Sequence, residues 1–293
     1  MKNFLLGGRF FGFIVLFLMA CQSNQTTENQ SPENQTLTVF LGSASKPPME
    51  EIIELFEQKT LIKVDAIIGS SGFVLSQMEL TGMGDIFFPG SSDFMELAKT
   101  KNLVYPETEQ IPMYLVSAIN VVKGNPKNIH RLRDLLRPDL KIAIASPKEV
   151  CVGTYAVEII EKNFSQKEKE QFRANILTYS ESCDKTASLI AMKSVDAVIG
   201  WSVFEHWNPE AIETIKLNPS ELIRVGYIPL AISKNTKQKE LAQQFIDFVM
   251  SEEALQIFKK HNYFTSSDEA NAYIGEEKPV GGVYQLPADW IIE

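Results

Sequence analysis

Short apolar runs rich in Val, Ile and Phe alternate along this chain with longer stretches whose apolar residues recur every three or four positions. The first kind reads as buried strands and the second as amphipathic helices, so the alternation predicts an α/β fold with mainly parallel strands. Leu37 to Leu41 opens the series as a strand. Pro47 and Pro48 follow in the first turn of a helix, where proline is tolerated. Met49, Ile52, Ile53 and Phe56 mark that helix's apolar face as far as Thr60. A strand over Ile62 to Ile68, a helix over Phe73 to Leu80, a strand over Asp85 to Phe88 and a helix capped by Ser92 or Asp93 keep the rhythm. A second set contains strands at Tyr114 to Val122, Lys141 to Ala145, Ile176 to Tyr179 and Asp196 to Trp201, with helices over Thr154 to Phe164 and Lys185 to Ser194. Two lobes follow from two such sets. Leu222 to Ser233 is long for one strand and returns the chain to the first lobe, where helices over Lys239 to Met250 and Glu252 to Lys260 pack. The residues after Ser266 read as mostly irregular.

The first twenty residues break the pattern. Lys2 and Arg9 precede an apolar run from Phe10 to Ala20, and Cys21 comes next. The run is shorter than the roughly 20 residues a membrane-spanning helix needs, and its basic start and small Ala20 have the form of a secretory signal. Leu18-Met19-Ala20-Cys21 resembles a bacterial lipoprotein signal, which implies lipidation of Cys21 and a location in the cell envelope, facing the periplasm or the exterior. From Gln22 to Thr36 nothing can pack in a core, so the segment reads as a flexible tether. The expected organisation is therefore a signal peptide over 1–20, a tether over 21–36, a first lobe over 37–116 and 230–293, and a second lobe over 117–229.

Charge narrows the function. Lys plus Arg number 28 and Asp plus Glu 37; loss of Lys2 and Arg9 with the leader leaves 26 against 37, or −11. An acidic body argues against nucleic acid as a partner, because phosphate-backbone affinity rests on clustered positive charge. The three histidines, His130, His206 and His261, are too far apart to show a zinc-site spacing, so no metal or other cofactor is expected.

Four strand-to-helix junctions share a chemistry: Gly42-Ser43-Ala44-Ser45, Gly69-Ser70-Ser71-Gly72, Cys151-Val152-Gly153-Thr154 and Ser182-Cys183-Asp184. Backbone N–H groups at helix N-termini favour anions, glycine allows close approach, and serine adds a hydroxyl donor. In open α/β sheets such junctions lie at the carboxyl ends of the strands, where ligands usually bind. Neither glycine loop has the Walker pattern, and no GxGxxG stands at the first βα turn, so a nucleotide is not expected.

These residues together resemble the substrate-binding proteins of molybdate and tungstate ABC transporters. The resemblance spans about Leu37 to Phe264. It is carried by Leu37-Thr38-Val39-Phe40 with Gly42-Ser43-x-Ser45, Gly69-Ser70-Ser71-Gly72, Gly84-Asp85-Ile86-Phe87, Gly153-x-Tyr155-Ala156, Val195-Asp196-Ala197, and Phe245-x-x-Phe248 through Ile257-Phe258. It implies a two-lobed periplasmic-binding-protein fold (type II) that closes on a tetrahedral oxyanion with no metal and no catalysis. A monomer delivering its ligand to an ABC permease and its ATPase subunit is the implied assembly, with the membrane touched only through the lipid anchor. The first-lobe serine falls on Ser43 by the Gly-Ser-x-Ser-x-Pro spacing. Counting strictly from Phe40 to Phe56 puts it on Ala44 instead, which keeps Ser45 in contention. The second serine falls on Ser71, and backbone donors fall on Val152 and Cys183. The last ligand, commonly a tyrosine, is Trp201 here. Indole N–H donates but cannot accept, which leaves open whether the anion is molybdate, tungstate or another small anion.

The resemblance also puts Cys151 and Cys183 beside one ligand site, which implies a disulfide between them in an oxidising compartment. The rival reading makes one of these cysteines a nucleophile with a histidine base. An iron-carrying protein of similar fold would want a tyrosine pair, and no adjacent Tyr-Tyr exists in the sequence.

Overall fold

The computed structural model describes residues 35–291 of this protein; the apolar leader, Cys21 and nearly all of the tether lie outside them. The first strand, β1 (Thr36–Gly42), buries Leu37, Val39, Phe40 and Leu41. Such a run suits a central strand covered on both faces. After one 3₁₀ turn comes α1 (Lys46–Thr60), with prolines in its first turn and Met49, Ile52 and Phe56 buried at helical spacing. Then follow β2 (Lys63–Gly69), α2 (Ser71–Thr81), β3 (Ile86–Phe88) and α3 (Ser92–Thr100). The chain continues through β4 (Gln110–Leu115), β5 (Ser117–Val122), β6 (Ile142–Ala145), α4 (Cys151–Asn163), α5 (Gln166–Ala174) and β7 (Ile176–Ser180). Next are α6 (Cys183–Ala191), β8 (Ala197–Trp201), α7 (Phe204–Trp207), β9 (Ile212–Lys216) and β10 (Gly226–Ile232). Three helices close the series: α8 (Lys239–Val249), α9 (Glu252–Lys260) and α10 (Ser267–Ile274).

Two five-stranded sheets result, ordered β2-β1-β3-β10-β4 and β7-β6-β8-β5-β9. In the first, β1 runs parallel to β2 and β3, while β10 is antiparallel to β3 and β4. The second repeats the plan: β6 is parallel to β7 and β8, and β5 is antiparallel to β8 and β9. Helices flank both sheets, so the fold is the expected α/β pair of lobes.

The structure divides what the sequence pattern read as one strand over Tyr114 to Val122. Leu115 pairs with Gly226 in the first sheet, whereas Ser117 pairs with Trp201 in the second. Only Val116 separates the two, so the chain changes sheets within one residue. It returns between Lys216 and Gly226. α8 packs on α1 through edge-on aromatic contacts, Phe56 to Phe245 at 5.0 Å and to Phe248 at 5.4 Å between ring centroids. The stretch after Ser266 is less irregular than its composition suggests. It forms α10, capped by Ser266, and then runs on to Trp290, which is buried in the apolar core of the second sheet. Among the described residues no helix is long and apolar enough to cross a membrane.

Candidate functional site

Parallel strands put the carboxyl ends of β1, β2 and β3 on one edge of their sheet and those of β6 and β7 on one edge of theirs. The junctions that follow these strands meet between the lobes. Ser43, buried in the turn after β1, accepts a 3.1 Å hydrogen bond from the backbone N–H of Cys183 at the start of α6. Ser45 is turned into its own loop, its hydroxyl donating to Gly42 O at 3.0 Å. Of the two, Ser43 therefore faces the other lobe. Ser71, the first residue of α2, accepts from Gly90 N at 2.9 Å, while its neighbour Ser70 caps the helix by accepting from Phe73 N.

Two glycines permit this approach. The N–H of Gly72 donates to Glu149 O of the second lobe at 2.9 Å, and a Cβ there would lie 2.1 Å from the Glu149 carboxylate and 3.1 Å from its Cα. A Cβ on Gly90 would lie 2.6 Å from Cys151 Sγ and 3.2 Å from both Ala44 Cβ and Ser71 Oγ. At Gly90 no side chain fits beside the buried sulfur, and at Gly72 a Cβ would displace the Glu149 carboxylate and press on its backbone, so glycine at both positions lets the lobes touch as they do.

Cys151 and Val152 begin α4 and are buried. Cys151 and Cys183 are thiols in this structure, in contact at 3.6 Å between sulfurs and not bonded. Burial, with Cys151 alongside, pushes the Cys183 thiol well above its ordinary pKa, against the lowering effect of the Val152 N–H. Trp201 ends β8 fully buried, its ring edge-on to Tyr155 at 4.9 Å, and its indole nitrogen has no hydrogen-bond partner. Tyr155 stands one helical turn beyond Cys151 on α4, and its hydroxyl is likewise unpartnered. Burial raises the Tyr155 pKa far beyond neutrality, so it remains a donor. The Arg224 guanidinium also packs on the Tyr155 ring, 4.1 Å from its centroid, and is held by Asp93 at 3.0 Å and Glu158 at 2.8 Å. Its charge is thus balanced inside the protein.

Ser43 also lines a cleft of about 490 Å³ between the lobes, with Lys46, Gly69, Ser70, Phe73, Glu181 and Lys185 around it. A larger cavity, about 710 Å³, lies between α7–β9 and α9–α10 and holds none of the expected site residues. The donors, not the size of the cavity, mark the site. Among the described residues no cluster of three or more His, Cys, Asp or Glu could hold a metal. His261 is tied to Glu51 at 2.9 Å and His130 and His206 are exposed, so no histidine is hydrogen-bonded to either cysteine among the described residues.

Sequence reasoning missed the junction Pro89-Gly90-Ser91, which touches Ala44, Ser71 and Cys151. Its signal is present, since Gly90-Ser91-Ser92 repeats the Gly/Ser chemistry of the other loops, but the sequence pattern marks only Ser92 or Asp93, as a helix cap. It also missed Tyr155 and Arg224, whose places depend on contacts between distant segments.

This chain belongs to the bacterial extracellular solute-binding protein family, whose model matches residues 37–264. That is a family of binding proteins and not of enzymes, and it sets the protein outside the cytoplasm. Over 256 residues the chain is 24% identical to YvgL of Bacillus subtilis, named as an ABC transporter substrate-binding lipoprotein, covering 85% of this chain and 93% of that one. Two solved structures share the fold. The periplasmic molybdate-binding protein of Azotobacter vinelandii matches with a TM-score of 0.68 at 18% identity, over 78% of this chain and 99% of that one. The sulfate-binding protein SubI of Mycobacterium tuberculosis matches with a TM-score of 0.71 at 15% identity, over 84% and 94%.

Proposed function

We propose that this protein is the lipid-anchored substrate-binding component of an ABC transporter and captures a small tetrahedral oxyanion, molybdate or tungstate. In this reading Cys21 carries the lipid, and the loaded protein delivers the ion to a permease and its ATPase subunit. Ser43, Ser71, the backbone N–H groups of Val152 and Cys183, and the Trp201 indole hold the ion. The observation that carries it is the 3.1 Å contact across the lobes between Ser43 and Cys183 N, two donors that an anion between them would engage together. Hinge opening separates them, and closure over the ion sets both on its oxygens.

Such a pocket offers donors and few acceptors. A fully deprotonated oxyanion accepts at every oxygen, whereas hydrogen phosphate points a proton at a donor, and an unmet buried polar group costs about 1 to 3 kcal/mol. Sulfate has no such proton and is told from molybdate by size alone. The net charge does not oppose this, because exposed charges are screened beyond roughly 8 to 10 Å at physiological salt. A second reading, another small anion, is favoured by Trp201, whose bulk gives the pocket a different shape from one built around tyrosine.

The test is isothermal titration of the full chain in detergent with molybdate, tungstate, sulfate and phosphate. Binding of molybdate or tungstate, with phosphate silent, is expected. Sulfate binding alone moves the assignment to the second reading, and silence for all four removes the oxyanion altogether.

A further inference from the structure

We propose that the Ser91 hydroxyl is an additional ligand donor of this pocket, an inference that rests on the oxyanion reading above. Ser91 occupies the N-cap position of α3. Serine is favoured there because its oxygen accepts from a backbone N–H two or three residues on. Ser70, Ser165, Ser182, Ser251 and Ser266 all do this, accepting from the N–H groups of Phe73, Glu168, Lys185, Ala254 and Glu269. Ser91 does not: it makes no cap bond, is fully buried, and its Oγ has no partner. The neighbouring Ser92 shows the contrast, its hydroxyl donating to Gly282 O at 2.7 Å.

The loop holding Ser91 is already part of the meeting point. Gly90 donates to Ser71 and packs against Cys151 and Ala44. From the second lobe, the Trp201 indole N–H and the Tyr155 hydroxyl are buried and unpartnered as well, and their rings touch. Buried polar groups in folded proteins nearly always find partners, so each exception calls for an explanation. Three unmatched donors, one on the first lobe and two on the second, are what a ligand that only accepts hydrogen bonds would satisfy. Ser91 thereby gives the first lobe a third hydroxyl beside Ser43 and Ser71.

The experiment compares wild type, Ser91→Ala, Ser92→Ala and Ser71→Ala as full chains, titrated with sodium molybdate and sodium tungstate, with thermal unfolding of each in the absence of ligand. Ser91→Ala is expected to weaken binding about 10- to 100-fold, the range for a hydrogen bond to a charged group. Its ligand-free unfolding temperature should stay at or above that of wild type, because the lost hydroxyl has no partner to forsake. Ser92→Ala should do the reverse, lowering the unfolding temperature and sparing affinity. Affinity of Ser91→Ala within twofold of wild type, while Ser71→Ala is impaired, overturns the assignment and leaves the oxyanion reading standing. A lowered ligand-free unfolding temperature for Ser91→Ala also overturns it, by giving the hydroxyl a structural role. A wild type that binds neither ion removes both.

Discussion

Arg224 lies between two carboxylates from different lobes, Asp93 of α3 and Glu158 of α4, and also donates to the carbonyls of Gly281 and Gly282 in the tail. Its side chain is only 5% exposed. Burial raises Glu158 above the ordinary carboxylate range even with the guanidinium beside it. Replacing one partner of such a network leaves uncompensated buried charge, a larger effect than the net contribution of the intact network. Arg224→Met is accordingly expected to lower stability by about 3 to 5 kcal/mol at neutral pH, read by urea unfolding. Loss of less than about 1 kcal/mol, the range of an exposed pair, would show that the carboxylates reach water once the guanidinium is gone. The prediction concerns stability and not the ligand, since the Arg224 guanidinium is already engaged by Asp93 and Glu158.

At the scale of elements, α4 and α6 begin with the two cysteines, so a bond between Cys151 and Cys183 would tie their N-termini together and fix the spacing of the Val152 and Cys183 N–H donors. We propose that this bond forms in the oxidising envelope, the two thiols losing two protons and two electrons to a disulfide-bearing oxidant. It would close a loop of about 32 residues, which in the chain-entropy model adds roughly 3 to 4 kcal/mol. Thiol titration of envelope-isolated protein, denatured without reductant, should find neither cysteine reactive; two reactive thiols would end the idea. Which elements were legible follows from how each one buries its side chains. β1 and α1 could be read because one is apolar on both faces and the other carries a stripe at helical spacing. α5 was missed because Phe172 is its only buried residue, although Ser165 and Glu168 spell a capping box at its start. The division of Tyr114 to Val122 between two sheets has no turn residue to announce it, since Val116 is as apolar and buried as its neighbours. Ser43 and Ser71 stood out as loop serines. Ser91 shares their chemistry, but its lack of a cap bond is visible only in three dimensions.

For the molecule as a whole, the lobes are joined by two crossings of the chain, at Val116 and between Lys216 and Gly226, and by the tail. Segment 279–284 binds the second crossing through Val225 and Arg224, and α3 through Ser92 and Asp93. Trp290 then docks on the second lobe, its indole donating to Glu161 at 2.7 Å. These ties leave the site edge as the place where the lobes can part, and its contacts, Gly72 N to Glu149 O and Cys183 N to Ser43, are few enough to break and re-form. Gly72 is the point at which closure can be tested without touching a ligand donor. A valine there would press on the Glu149 backbone only when the lobes meet. Overpacking of this kind costs about 1 to 3 kcal/mol. Because that cost falls on the closed state alone, it becomes a loss of roughly 5- to 150-fold in apparent affinity. Gly72→Val is therefore expected to unfold at the wild-type temperature, to bind molybdate or tungstate more weakly by that factor, and to lose the contraction that small-angle scattering should record when the wild type is loaded. If the variant contracts and binds as wild type does, the surface joining Gly72 to Glu149 is not the one that closes.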